Sequence, residues 1–409
     1  MNRLVLLSVS IAISLSAFPV MAADATAPAA EWPCFRGPNG DGTVAELPKT
    51  LPPAPKVLWK TKAAGTCHAG IAVAAGVVVT PDCDEDNDYY RCLDAATGAE
   101  QWVRTFTNGR DLQYGPGPRA TPLISKGKVY VLSAFGELRC LDLKTGKTLW
   151  EKSYQNEFRT RSVPTWGFCG SPLLVQDKLL LHPKRLLALD PDTGNVVWEG
   201  DSSGTNYATP LVGAFGGVDQ VIDYEPAGMA GWDIKTGKRL WTIEIEAPHG
   251  YIVPTPVRVG TRLLIVPSAE DARLLDFDQN GRPKPDPTAT CDQLTSEVIT
   301  PTVSGDLILG AGRGLLCLDA KDKLNVLWKS GKESTLRADM HIVASKDRVL
   351  TFNRKGYVTL VALNRDALEV LGSARLCQPT LMPPAVAGQR IYVRDDESVC
   401  CYDLSASIE

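Results

Sequence analysis

The strongest constraint in this chain is a repeat. Four segments carry Asp, Thr, Gly and Trp at one fixed spacing: Asp94, Thr97, Gly98 and Trp102; Asp142, Thr145, Gly146 and Trp150; Asp190, Thr193, Gly194 and Trp198; Asp233, Thr236, Gly237 and Trp241. Internal periodicity of this kind decides an architecture before any other feature does. Each Asp-x-x-Thr-Gly stretch lies between two short apolar runs and predicts a hairpin turn. Gly takes a positive φ at little cost, and Asp and Thr side chains bond turn amides. The Trp falls on the strand that follows. Recurring once per unit, it predicts a structural ring packed between adjacent sheets.

The second unit shows what precedes the turn. Ala120–Ser125, Lys128–Ser133 and Glu137–Asp142 read as three strands, and Lys147–Glu151 as a fourth. Four strands per unit, with units about 40–50 residues long, predict propeller blades rather than solenoid coils. The tryptophans Trp59, Trp102, Trp150, Trp198, Trp241 and Trp328 mark successive fourth strands, with one degenerate unit at Leu274–Gly281 between the last two. A further unit runs from about Arg337 to Leu376. The last, from near Cys377, lacks a fourth strand, whereas Val57–Lys60 is a fourth strand without the first three. Joined, they close the ring and remove the free sheet edges. The expectation is all-β: an eight-bladed propeller of four-stranded antiparallel blades, closed by an N-terminal strand.

Arg3 is the only charge before an apolar run from Leu4 to Phe18, and Val20-Met21-Ala22 fits a signal-peptidase site. This predicts a signal peptide over 1–22, an N-terminal extension over 23–56 and the propeller over 57–409, in a periplasmic or secreted protein without a membrane span. The formal net charge of −4 gives no reason to expect nucleic acid as a partner. The eleven cysteines leave at least one thiol unpaired. Cys92, Cys140, Cys317 and Cys401 share one third-strand slot, which points to packing. Cys83 and Cys92 flank a short connection that a disulfide could cross.

These repeats resemble the PQQ-like repeat family, which holds quinoprotein alcohol dehydrogenases and assembly-factor propellers of the BamB kind. The resemblance covers about 57–409. Trp32-Pro33-Cys34-Phe35-Arg36-Gly37-Pro38-Asn39-Gly40-Asp41-Gly42 is similar to an N-terminal signature of exported PQQ-like propellers of planctomycete-type bacteria. It predicts a loop lying against the propeller and lacks the Lys and Ser/Thr of a phosphate loop. BamB-like scaffolds are lipoproteins, and no lipid-acceptor Cys follows the cleavage region here. The dehydrogenases carry an adjacent disulfide, but Cys400-Cys401 occupies a third strand rather than a chamber loop.

Two functions follow. Minimal blade length favours a cofactor-free scaffold that binds a protein, peptide or envelope polymer. The alternative is a small PQQ-dependent dehydrogenase of alcohols or sugars, with PQQ, calcium, Trp166 as a platform and Asp339 as a base. For either, the candidate site is the channel mouth: His68, Arg119, Trp166, Tyr207, Tyr251, Glu297, Arg337, Asp339 and His341, with Tyr114 nearby. None of the four histidines, His68, His182, His249 and His341, has a metal-ligand partner at short spacing. The acidic loop Asp82–Asp88 fails the EF-hand pattern, with Asn87 at the sixth position and Leu93 at the twelfth.

Overall fold

A computed structural model describes residues 30–407, apart from 64, 66, 109–111, 159, 161, 205, 247–249, 269 and 338. The signal segment 1–22 and His249 lie outside the described residues. The chain forms eight antiparallel four-stranded sheets arranged as an eight-bladed β-propeller. Seven blades run in simple order from the axis outward. Blade 1, for example, uses Ala72–Ala74, Val77–Cys83, Asn87–Asp94 and Glu100–Thr107. Blade 8 takes Ala385–Ala387, Arg390–Arg394 and Ser398–Ser407, then borrows Pro55–Lys62 as its outermost strand. The innermost strands of blades 8 and 1 lie side by side, so the ring is closed. Among the described residues the one helix is a 3₁₀ turn, Ser334–Leu336, and no helix is long and apolar enough to cross a membrane.

The repeat residues build the joints between blades. Asp94 Oδ1 accepts from the Thr97 amide at 2.9 Å and the Thr97 hydroxyl at 2.8 Å, and this turn recurs at Asp142, Asp190 and Asp233. The turn glycine holds φ of +71° at Gly98 and a similar value at Gly146, Gly194 and Gly237. On that glycine rests the Trp of the preceding blade. A Cβ added at Gly98 would lie 2.6 Å from the Trp59 ring, and one at Gly146 would lie 2.7 Å from Trp102. Trp150 rests on Gly194 and Trp198 on Gly237 in the same way. The indole also donates forward, Trp59 to Ala95 O at 3.1 Å, Trp102 to Leu143 O at 2.9 Å and Trp150 to Pro191 O at 3.1 Å.

The cysteine slot follows from the same ring. Cys92, Cys140, Cys317 and Cys401 each lie directly across the strand pair from a Trp, and Ala188 and Gly231 fill the slot in blades 3 and 4. A small apolar residue leaves room for the indole. Burial pushes the Cys92 and Cys317 thiols up to about 12. Cys83 pairs with Asp88 and Cys92 with Val79, so these two thiols do not face each other across the hairpin. Cys400 and Cys401 are free, and both are buried.

Candidate functional site

Each innermost strand starts at one end of the propeller axis and runs to the other. Side chains at its start therefore converge from every blade on a single opening. A cavity of about 500 Å³ lies there. Eight of the nine residues expected at the mouth line it: His68, Arg119, Trp166, Tyr207, Tyr251, Glu297, Asp339 and His341. Arg337 does not. It follows the 3₁₀ turn Ser334–Leu336 and is exposed, and its guanidinium donates to Gly331 O at 3.5 Å.

One wall of the mouth is aromatic. Trp166 lies 4.8 Å from Tyr207 and 4.5 Å from Tyr251, ring centre to ring centre, and 6.4 Å from Tyr114. Its indole donates to Gln113 Oε1 at 2.9 Å. Arg119 anchors this wall from behind. Its guanidinium donates to the carbonyls of Gly115, Gly117, Gln113 and Trp166, and burial lowers its pKa. The imidazoles are held neutral. Burial pushes His341 down to about 4 against its contact with Leu381 O, and it lowers His68, whose Nε2 meets Tyr114 O at 2.9 Å. Asp339 pairs with Arg354 at 3.5 Å, and Glu297 is exposed at the rim.

The segment from Trp32 to Thr43 closes the opposite end. Trp32 exchanges backbone hydrogen bonds with Val73 of blade 1 at 2.7 and 2.8 Å, and Pro33 O accepts from Ile124 of blade 2. Across the axis, Ala344 of blade 7 bonds to Gly42 and Val44. Arg36 donates to Thr300 O at 3.1 Å, Pro301 O at 2.7 Å and Thr302 Oγ1 at 3.2 Å, all in blade 6. Trp32, Phe35, Arg36 and Gly42 thus form a floor, and the cavity is a cup open at the mouth.

Sequence spacing missed two groups. The first is a belt of hydroxyls midway down the cup, described below. The second joins blades 3 and 4. His182 Nδ1 lies 2.7 Å from Asp223 Oδ2, and its Nε2 lies 2.7 Å from Ser202 Oγ. This is the connectivity of a nucleophile, a base and an orienting acid. The surroundings oppose that chemistry. Glu225 Oε1 sits 2.8 Å from Ser202 Oγ, the Ser203 amide is bound to Glu225, and the Gly204 amide points at Ser202 itself. The Ser203 and Gly204 amides are thus already engaged, and a carboxylate stands where negative charge would form. Burial would raise the Glu225 carboxyl, but hydrogen bonds from Arg239, the Ser203 amide and Ser202 outweigh it and hold it at about 2. The group is a buried polar brace between two blades.

For calcium and a quinone, the donor set is the test. Among the described residues no three His, Cys, Asp or Glu side chains converge to hold a metal ion. Asp339 already faces a guanidinium.

This closed ring, with its turn-and-tryptophan joints and axial cup, defines a class of propeller. The family described as outer membrane protein assembly factor BamB matches residues 51–211 and 86–330. The chain belongs to this PQQ-like propeller family. BamB of Shewanella oneidensis is 23% identical over 137 residues, which is 32% of this chain and 34% of that protein. BamB of Moraxella catarrhalis superposes with a TM-score of 0.59 at 16% identity, covering 85% of this chain and 99% of that one. The quinohemoprotein alcohol dehydrogenase of Comamonas testosteroni superposes with a TM-score of 0.65 at 14% identity, covering 94% and 82%. At these identities the two structures share the fold alone. The chain spans about a third or less of the length of the curated relatives it matches.

Proposed function

We propose that the chain is an exported, non-catalytic propeller that binds a protein, peptide or envelope polymer at the open mouth of the axial cup. One observation carries this reading. Among the described residues the exposed large hydrophobics fall into two sets. Val57, Leu149, Val196, Val197 and Val370 lie on outermost strands, where blade edges meet solvent. Tyr114, Val298 and Leu381 are 61%, 41% and 48% exposed, and all three line the cavity beside Trp166 and Tyr251. Apolar groups gathered around a concave opening mark a binding site. The apolar run at Leu4–Phe18 supports export, and the assembly-factor relatives support a protein partner.

The dehydrogenase reading draws on Trp166 in the cavity wall and on the quinoprotein likeness. The pairing of Asp339 with Arg354 weakens it, because the carboxylate is already engaged by a guanidinium rather than free to face a substrate. A photo-crosslinking residue placed at Tyr114 or Leu381, compared with one at Val370, tests the binding reading in cells that produce the chain. Adducts are expected from the mouth positions and not from Val370. Adducts from Val370 alone would contradict it.

A further inference from the structure

Five blades contribute one hydroxyl each to a belt around the cup. The Gly70 amide donates to Thr121 Oγ1 at 3.2 Å, the Thr121 amide to Ser171 Oγ at 3.0 Å and the Ser171 amide to Thr209 Oγ1 at 3.0 Å. The Thr209 amide donates to Thr255 Oγ1 at 3.3 Å and the Thr255 amide to Thr300 Oγ1 at 2.9 Å. Each link ties one blade to the next, from blade 1 to blade 6. The belt residues are between 3% and 8% exposed, and all five line the cavity. Each is followed by proline, at 122, 172, 210, 256 and 301. Proline holds the preceding residue extended and asks for no hydrogen-bond partner on the free edge of an innermost strand.

The belt is one-sided in its chemistry. A hydroxyl has one hydrogen to give as well as lone pairs to fill. Here every oxygen already accepts an amide, and none of the five hydrogens has a protein acceptor among the described residues. An accepted hydrogen bond polarises the hydroxyl and makes it a stronger donor. Beside the last hydroxyl, Thr300 O accepts from Arg36, whose guanidinium among the described residues bonds only to carbonyl and hydroxyl oxygens. A guest group at this depth meets hydrogens and positive charge. A cation is disfavoured there, and an oxyanion is matched.

We infer that the belt of Thr121, Ser171, Thr209, Thr255 and Thr300 binds the carboxylate end of a guest whose apolar body rests against the aromatic mouth. The inference rests on the binding reading above and names the chemistry of its ligand. A small aromatic acid and the C-terminus of a peptide both present this chemistry.

The test titrates the full mature chain with 3-phenylpropionate and with 3-phenylpropionamide, read by calorimetry. The acid is expected to bind at least tenfold more tightly than the amide. Thr209→Val, which removes one hydroxyl, is expected to erase most of that preference, and Thr209→Ser to keep it. The comparison of acid with amide needs no variant, so a poorly folding Thr209→Val leaves the inference testable. A tetrapeptide ending in a free Phe, set against phenylpropionate, separates the two sources by which of them binds more tightly. Equal affinity for acid and amide would overturn the inference and leave the mouth as a binding site. No binding of any of the three, together with no adducts at Tyr114 or Leu381, would overturn both.

Discussion

At the scale of single residues, the imidazole of His341 shows what the cup does to charge. In the folded chain it takes a proton only near pH 4, because burial disfavours the charged ring, whereas in the unfolded chain it does so near 6.5. Between those values the unfolded state binds more protons. Stability from this group is therefore fully present above pH 6.5 and lost as pH falls toward 4, by up to about 3 kcal/mol. Asp88 works in the opposite sense, since burial pushes its carboxyl up to about 6. The variant His341→Gln is expected to lose less stability than the parent between pH 7 and pH 4.5 in urea denaturation. An unchanged difference would contradict the assignment. His68 and His341 were legible in the sequence because both precede or begin an innermost strand. The contacts of His182 were not, because its partners come from another blade and from a loop between blades.

At the scale of the blade, the joint of glycine and tryptophan carries the repeat. Gly146→Ala places a Cβ 2.7 Å from the Trp102 ring at φ +69°, so strain and overpacking act together. A loss of about 3 kcal/mol is expected. Gly127→Ala meets no atom within 4 Å at φ +74° and is expected to cost about 1 kcal/mol. Equal costs, measured by thermal or urea unfolding, would show that the indole contact contributes little. The degenerate unit bears the same logic. Blade 5 keeps a turn glycine, Gly281 at φ +72°, but Val218 and Gln220 rather than the Trp241 ring lie against it. Trp241 donates to Gln220 Oε1 at 2.6 Å, while Gln220 Nε2 reaches Gly281 O at 2.9 Å. A side-chain amide replaces the direct contact. Strand order and turn chemistry were thus readable from spacing, since both are local. The Ser/Thr-Pro step was visible too, yet its role depends on which side chain meets the next blade's amide, and that is set only when the ring closes.

At the scale of the molecule, closure makes the site. The strand Pro55–Lys62 completes blade 8 and sets Trp59 on Gly98 of blade 1, so the two ends of the chain lock one another. The segment before it floors the axis and turns a channel into a cup. That segment reads in sequence as a loop against the propeller, but its crossing from blades 1 and 2 to blades 6 and 7 is a tertiary fact. The cup has an aromatic mouth, a hydroxyl belt and a floor with Arg36, and it lacks an acidic donor set for a divalent ion among the described residues. Binding without redox chemistry is the central claim. The most direct test incubates the purified chain with PQQ, with and without calcium, and follows tryptophan quenching and dye reduction in the presence of an alcohol. The account predicts no calcium-dependent quenching and no dye reduction. Saturable, calcium-dependent binding at micromolar PQQ or below, with alcohol-dependent dye reduction, would contradict it.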